Sequence, residues 1–133
     1  MHIKIGEKAF ISHKVDEKDI TLIAETTGDT NPLHLDEAFA ARSSFGKRIA
    51  HGILPAGLIS AVLGTKLPGA GTIYLSQSLE FLKPVFVGDI LTANVEVTSI
   101  SEDKPIVTLN TWVNNQDGVK VLTGKATVLC PKQ

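Results

Sequence analysis

The fold is decided by one long apolar run, HGILPAGLISAVLGTK, which spans residues 51–66. Proline is tolerated in the first turn of a helix, so Pro55 predicts a helix that begins just before it. From Ile53 to Gly64 apolar residues lie on every side of this helix apart from Ser60, as is typical of a helix surrounded by other structure. The run is shorter than the ~20 residues that a membrane span requires. We therefore predict a buried central helix and no membrane span.

The second half of the chain changes to the alternating pattern of β-strands. Apolar and polar residues alternate over residues 72–81, and longer strands are predicted at 90–100, 106–114 and 119–129. Consecutive strands joined by short turns form an antiparallel sheet. The sequence predicts an α+β fold in which this antiparallel sheet wraps around the central apolar helix.

The first half of the chain predicts an edge strand over Ala9–Val15 and two capped helices. Asp16 offers an N-cap oxygen to a helix that Gly28 ends, because glycine adopts the left-handed conformation without strain. Asp36 is the expected N-cap of a second, short helix and therefore a structural residue.

Composition limits the class of protein. A chain of 133 residues is expected to form one domain, 1–133. Its net charge of −1 gives no basic surface for nucleic acid. The single cysteine, Cys130, excludes an intramolecular disulfide, and no signal peptide is recognised, so the cytoplasm is the expected location. The four histidines show no spacing typical of metal ligands, so no metal site is predicted.

The stretch Gly28-Asp29-Thr30-Asn31-Pro32-Leu33-His34 carries the candidate chemistry. On a regular helix Asp29 and His34 would lie about 140° apart, but Pro32 prevents one here. In a bent loop the two side chains can converge, hold one water and move two protons. The alternative is that Asp29 and Asn31 are turn residues and that His34 packs near a helix start.

The pattern Gly28-Asp29-x-Asn31-Pro32-x-His34-x(5)-Ala40 resembles the signature of the (R)-specific enoyl-CoA hydratases, the hydratase 2 or MaoC-like family of hot-dog proteins. The similarity extends to His51-Gly52, to residues 71–79 and to residues 84–89. In these segments the chain resembles the short bacterial enzymes that supply hydroxyacyl-CoA for polyhydroxyalkanoate synthesis. The resemblance implies a hot-dog fold and a hydro-lyase that adds water to trans-2-enoyl-CoA to give (3R)-3-hydroxyacyl-CoA. It implies no cofactor.

The same resemblance implies roles for individual residues. Asp29 and His34 would be the catalytic acid and base, and Asn31 would orient them or the water. Ser60 would face this pair, unless its hydroxyl bonds back to the helix. The Gly57 N–H, in the first turn after Pro55, would polarise the thioester carbonyl.

Further residues are candidates for substrate binding or for structure. The acyl pocket is expected to end on the central helix, at Leu58, Val62 or Leu63. Lys47 and Arg48 are either solvated or in contact with coenzyme A phosphates. His51 is either catalytic or, as is more common for a lone histidine beside glycine at a helix entrance, satisfied by a backbone group.

Two related enzymes and one binding function remain as alternatives. Acyl-ACP dehydratases and acyl-CoA thioesterases of hot-dog architecture resemble this chain, but many carry a carboxylate on the central helix, and Ile53–Lys66 has none. An acyl-thioester binding module would not require Asp29 and His34 to converge. We expect a homodimer, since a small wrapped sheet leaves edge surface exposed.

Overall fold

The computed structural model describes residues 2–131. It contains four helices and six strands within that range. In chain order they are β1 (Lys8–Lys14), α1 (Glu17–Thr27), α2 (Pro32–Leu35), α3 (Glu37–Ala41), α4 (Ile53–Thr65), β2 (Ile73–Gln77), β3 (Glu80–Phe81), β4 (Ile90–Ile100), β5 (Ile106–Asn114) and β6 (Lys120–Leu129).

The strands form one antiparallel sheet that packs against α4. Their order is β1-β4-β5-β6-β2, and β3 also pairs with β6. Along β4 and β5 every second residue is buried, including Leu91, Val95 and Leu109. These side chains meet Ile59 and Val62 of α4 in one hydrophobic cluster. The predicted α+β arrangement of an antiparallel sheet around a central helix is confirmed.

The caps of α1 fix where the candidate loop starts. Asp16 accepts a hydrogen bond from the Asp19 N–H, and the Asp19 carboxylate accepts one from the Asp16 N–H. At the other end Gly28 has φ 79°, in the left-handed region, and its N–H donates to the carbonyl of Ala24. Both predicted caps are therefore confirmed, and the chain leaves α1 at Asp29 in a direction set by Gly28.

The prediction of one regular, half-buried strand over residues 72–81 is wrong. The segment divides into β2 and β3, and a register shift between Tyr74 and Ser76 interrupts β2. Residues 73–76 are all exposed in the single chain, because β2 is the last strand of the sheet and has no neighbour on its outer side. The shift breaks the period of two on which the expected alternation depended.

The expectation that α4 is covered on every side is also corrected. Ile59, Val62 and Leu63 are buried, but Ile53 is 54% exposed, and Gly57 and Ser60 are exposed beside it. Positions 53, 57 and 60 share one face at helical spacing. Within residues 2–131 no helix has the length and apolar character needed to cross a bilayer.

Candidate active site

Asp29 and His34 converge, as the candidate loop predicts. One oxygen of the Asp29 carboxylate, one ring nitrogen of His34 and one ring nitrogen of His51 all lie within 4.8 Å of one another. Asp29 is exposed to solvent, whereas His34 is only 7% exposed. The arrangement places a solvent-accessible carboxylate next to a buried imidazole, with a separation that one water can bridge.

The loop reaches this geometry through its own turn hydrogen bonds. The Asn31 N–H donates to Oδ1 of Asp29 at 3.2 Å, and the Leu33 N–H donates to Oδ1 of Asn31 at 3.0 Å. Asn31 thereby caps α2, the short helix that carries His34, and Pro32 occupies its first position. The sequence allows either turn residues or a convergence of Asp29 and His34, and in the structure the turn bonds and the convergence occur together.

The hydrogen bond of His34 defines its free nitrogen. Nδ1 of His34 lies 2.8 Å from the carbonyl of Ile49, which can only accept, so Nδ1 carries the proton. In the neutral ring Nε2 then has the free lone pair. That nitrogen can accept a proton from a water molecule held beside Asp29.

One ring nitrogen of His51 bonds to a backbone group, as predicted from sequence, and the other does not. Its Nε2–H donates to the carbonyl of Asp29 at 3.0 Å. Its ring packs against the ring of His34, with centroids 4.0 Å apart and an interplanar angle of 31°. Nδ1 of His51 is buried and has no hydrogen-bond partner among residues 2–131.

Arg48 holds the other side of the loop. Its Nε–H donates to the carbonyl of His34 at 2.6 Å, and its two terminal nitrogens donate to the Glu17 carboxylate at 2.9 and 2.8 Å. This geometry favours a structural role for Arg48 over the predicted contact with coenzyme A phosphate, because the guanidinium already has its acceptors. The phosphate prediction stays open for Lys47, whose ammonium lies 4.2 Å from the centre of the Phe86 ring.

The residues from Arg48 to His51, here called the 48–51 segment, are themselves anchored to the rest of the fold. The Ala50 N–H donates to the carbonyl of Val85 at 2.7 Å, and Ile49 and Phe86 form an antiparallel bridge. The segment therefore holds both catalytic candidates, Asp29 and His34, in a fixed position.

The start of α4 argues against Gly57 as the predicted oxyanion donor. Because α4 begins at Ile53, Gly57 is its fifth residue and its N–H pairs within the helix. The N–H groups of α4 that have no partner within the helix belong to residues before Gly57. Pro55 has none, and the Leu54 N–H donates to the carbonyl of His51.

Gly52 is the better candidate for an oxyanion donor. It precedes α4 and is exposed, and its N–H makes no hydrogen bond with the described part of the chain. A Cβ at this position would lie 2.9 Å from an atom of the Phe81 ring. The signal in the sequence was the His51-Gly52 pair directly before the helix, since the free N–H groups of a helix lie at its first turn.

Two cavities are lined by candidate site residues. One, of about 380 Å³, is lined by residues that include His34, His51, Gly52 and Phe81. The other, of about 310 Å³, is almost wholly apolar and lies between α4 and β2. Its lining residues are Ile53, Ala56, Gly57, Ser60, Tyr74, Leu75, Ser76, Gln77 and Leu79.

Ser60 and the predicted acyl-pocket residues lie apart from the catalytic pair in the single chain. Ser60 lines the apolar cavity, to which neither Asp29 nor His34 contributes, and its hydroxyl makes no hydrogen bond to the described helix. Val62 and Leu63 are buried in the core, and Leu58 packs against it. None of these three side chains lines either cavity, so their role in chain-length selection stays a prediction.

Asp29, His34 and His51 are also the residues whose donor types could hold a metal ion. One nitrogen of each ring already donates to a backbone carbonyl, which leaves Nε2 of His34, Nδ1 of His51 and the carboxylate. The prediction of no metal site was based on sequence spacing alone. Spacing does not show that His51, 22 residues after Asp29, lies beside it in the fold. That prediction therefore remains untested.

Residues 4–117 match the model of the MaoC like domain. The chain is 50% identical to the (R)-specific enoyl-CoA hydratase of Aeromonas caviae over 97% of this chain and 96% of that protein. It is 46% identical to the 3-hydroxybutyryl-CoA dehydratase of Methylorubrum extorquens over 98% of this chain and 83% of that protein.

A solved structure shares both the fold and much of the sequence. The (R)-hydratase from A. caviae involved in PHA biosynthesis superposes with a TM-score of 0.95 at 49% identity, over 98% of each chain.

Proposed function

The chain belongs to the MaoC-like domain family, and from this premise we propose that it hydrates trans-2-enoyl-CoA to (3R)-3-hydroxyacyl-CoA with Asp29 and His34 as the acid–base pair. The observation that carries the proposal is their approach within 4.8 Å at the end of α1. Hydration of an enoyl thioester needs a base to activate water and an acid to protonate C2, and the loop supplies one of each.

The reaction follows from the free lone pair of His34. Nε2 of His34 removes a proton from the water as the water oxygen forms a bond to C3, and the electron pair of the double bond moves towards the thioester carbonyl. The proton taken up by His34 passes to the Asp29 carboxylate, which delivers it to C2. His34 and Asp29 thereby end the cycle in their starting forms.

The charge that develops on the thioester oxygen needs a donor. The free N–H of Gly52 lies at the N-terminal end of α4, where the helix dipole also favours negative charge. Gly52 lines the same cavity as His34. We assign the oxyanion role to Gly52 in place of Gly57, because the N–H of Gly57 is used within the helix.

Turnover assays separate this proposal from its alternatives. Loss of the enoyl absorbance of crotonyl-CoA and octenoyl-CoA, with an (R)-3-hydroxy product on chiral analysis, is the expected result. Release of free coenzyme A thiol without hydration would indicate a thioesterase. Saturable binding without any turnover would indicate a binding module.

Dehydration is the second candidate direction, favoured by the 46% identity to a protein named as a dehydratase. It is the same reaction reversed, and Asp29 and His34 would exchange proton-donor and proton-acceptor roles. Assays that start from (3R)-3-hydroxyacyl thioesters of CoA and of acyl carrier protein determine the preferred direction and the preferred carrier.

We also propose that the functional form is a homodimer joined along β2. This edge strand exposes Ile73, Tyr74 and Leu75 at 55%, 39% and 50%, next to the exposed Ile53 of α4. An exposed apolar edge strand is a template for pairing with a second copy, which would continue the sheet across a twofold axis. The apolar cavity beside Ser60 would then border the partner.

Light scattering after size exclusion tests the dimer. The expected mass is about twice the 14.2 kDa of the chain. Leu75→Lys should shift the mass towards one chain, whereas Leu22→Lys, at a residue of α1 that is 48% exposed, should not. A wild-type mass of one chain at micromolar concentration would refute the dimer.

A further inference from the structure

We propose that His51 is a positioning residue for the reaction and that it acts through Asp29 and His34. The inference rests on the proposed function, because it concerns how the acid and the base are held. A side chain that is only 2% exposed contacts both members of the pair, and one hydrogen bond and one ring contact carry the two interactions.

The hydrogen bond from His51 is the long-range anchor of residues 29–31 within the described chain. The other hydrogen bonds of these residues are all local: the Asp29 N–H donates to the Thr27 hydroxyl, the Thr30 N–H to the Gly28 carbonyl and the Asn31 N–H to the Asp29 carboxylate, and Asn31 accepts from the Leu33 and His34 N–H groups. Local turn bonds fix the shape of the loop but not its place on the protein. Nε2–H of His51, 22 residues away, ties the Asp29 carbonyl to the start of α4.

The ring contact constrains the second member of the pair. His34 is held along one edge by the Ile49 carbonyl, and the His51 ring lies against its face at a centroid distance of 4.0 Å. A change in the position of the His51 ring would therefore move the Asp29 backbone and the face of His34 together. This shared support is how the distance between the acid and the base is kept constant.

The hydrogen bonding of His51 uses one of its two ring nitrogens. Its Nε2–H donates to the Asp29 carbonyl, and its buried Nδ1 has no hydrogen-bond partner in the described chain. The 48–51 segment brings this ring into place through its anchor on Val85.

Two substitutions separate the functions of the ring. His51→Phe keeps a flat ring against His34 and removes the donor to Asp29, whereas His51→Gln keeps an N–H donor and removes the ring. A displacement of reacting groups by about 1 Å costs on the order of 10²-fold in rate, so we expect His51→Phe to lower kcat by about that factor with little change in KM. His51→Gln should recover roughly fivefold to tenfold of this loss, the value of about one hydrogen bond.

A double-mutant cycle with Asp29 gives the decisive measurement. If His51 acts through Asp29, adding His51→Phe to Asp29→Asn should lower kcat by less than about threefold, because the group that it positions is already lost. His13→Phe is the control, since His13 also bonds to an aspartate, Asp19 at 2.7 Å, but lies outside the site. Its kcat should equal that of the wild type.

The outcomes distinguish this proposal from the proposed function. Full activity of Asp29→Asn would refute the acid–base assignment itself. A large effect of Asp29→Asn with an equal, additive effect of His51→Phe would overturn only the positioning role, as would a folded His51→Phe variant with wild-type kcat. If His51→Phe does not fold, a cycle of His51→Gln with His34→Asn applies the test through the ring contact, and an additive loss again overturns the proposal.

Discussion

Asp29→Asn and His34→Asn should abolish most of the activity while leaving the fold intact. In the first variant the amide oxygen of Asn can still accept the N–H of Asn31, now made by Asp29 at 3.2 Å. In the second, the amide N–H of Asn can replace Nδ1–H of His34, which donates to Ile49 at 2.8 Å. Each substitution therefore removes the proton-transfer atom and keeps the structural hydrogen bond.

The expected loss in kcat is ~10²–10⁴-fold for each variant, the usual scale for a positioned acid or base. It corresponds to about 3–5 kcal/mol of activation free energy at 1.36 kcal/mol per tenfold. KM for crotonyl-CoA should change much less, because we expect binding of the acyl chain and of coenzyme A to depend on other residues. The double variant should be close to the poorer single variant, since two groups that act on one water fail as a unit.

Stopped-flow or spectrophotometric assay of crotonyl-CoA hydration, with a melting curve for every variant, provides the measurement. Asp36→Asn is the matched control. It removes a carboxylate two residues from His34, but the Asp36 side chain only caps α3 through the Phe39 N–H at 3.1 Å, so kcat should stay near the wild-type value. If either test variant kept more than about a tenth of wild-type kcat with a normal melting curve, its loss would fall short of general acid–base catalysis, and the assignment would be wrong.

Three further predictions concern stability and specificity. Gly124→Ala should prevent folding or lower Tm severely, because a Cβ would lie 1.9 Å from the carbonyl oxygen of Ser78, whereas Gly64→Ala, with nothing within 4 Å, should be tolerated in thermal melts. Partial burial raises the pKa of Asp19, but hydrogen bonds from Asp16 and His13 outweigh this effect, so the pKa is lowered. The ionised Asp19 therefore stabilises the fold above the unfolded pKa of about 3.9, and this stabilisation is lost as the pH falls through the lower folded pKa. Urea titrations should therefore show a shallower acid decline for Asp19→Asn, and an unchanged decline would contradict this. Leu63→Ala should raise the ratio of kcat/KM for octenoyl-CoA over crotonyl-CoA and lower stability by ~2–5 kcal/mol, and an unchanged ratio would place the end of the acyl pocket elsewhere.

Most of the elements and the loop chemistry could be predicted from local sequence patterns, because these features depend on neighbouring residues. The alternation of β4 and β5, the caps at Asp16 and Gly28, and the proline that bends the loop towards convergence are all set by near neighbours in the chain. The family signature in the Gly28–His34 loop predicted the activity, since the signature is also a local pattern of residues.

The groups that support Asp29 and His34 could not be predicted from local patterns, because they are brought together by long-range contacts. The link from His51 to Asp29 and the ion pair from Arg48 to Glu17 join residues 22 and 31 positions apart, and no local pattern encodes such contacts. The proposal of Gly52 in place of Gly57 as the oxyanion donor depends on which N–H groups the start of α4 leaves unpaired. The exposed edge at β2 depends on the order of strands in the sheet, which is set by packing across the whole chain.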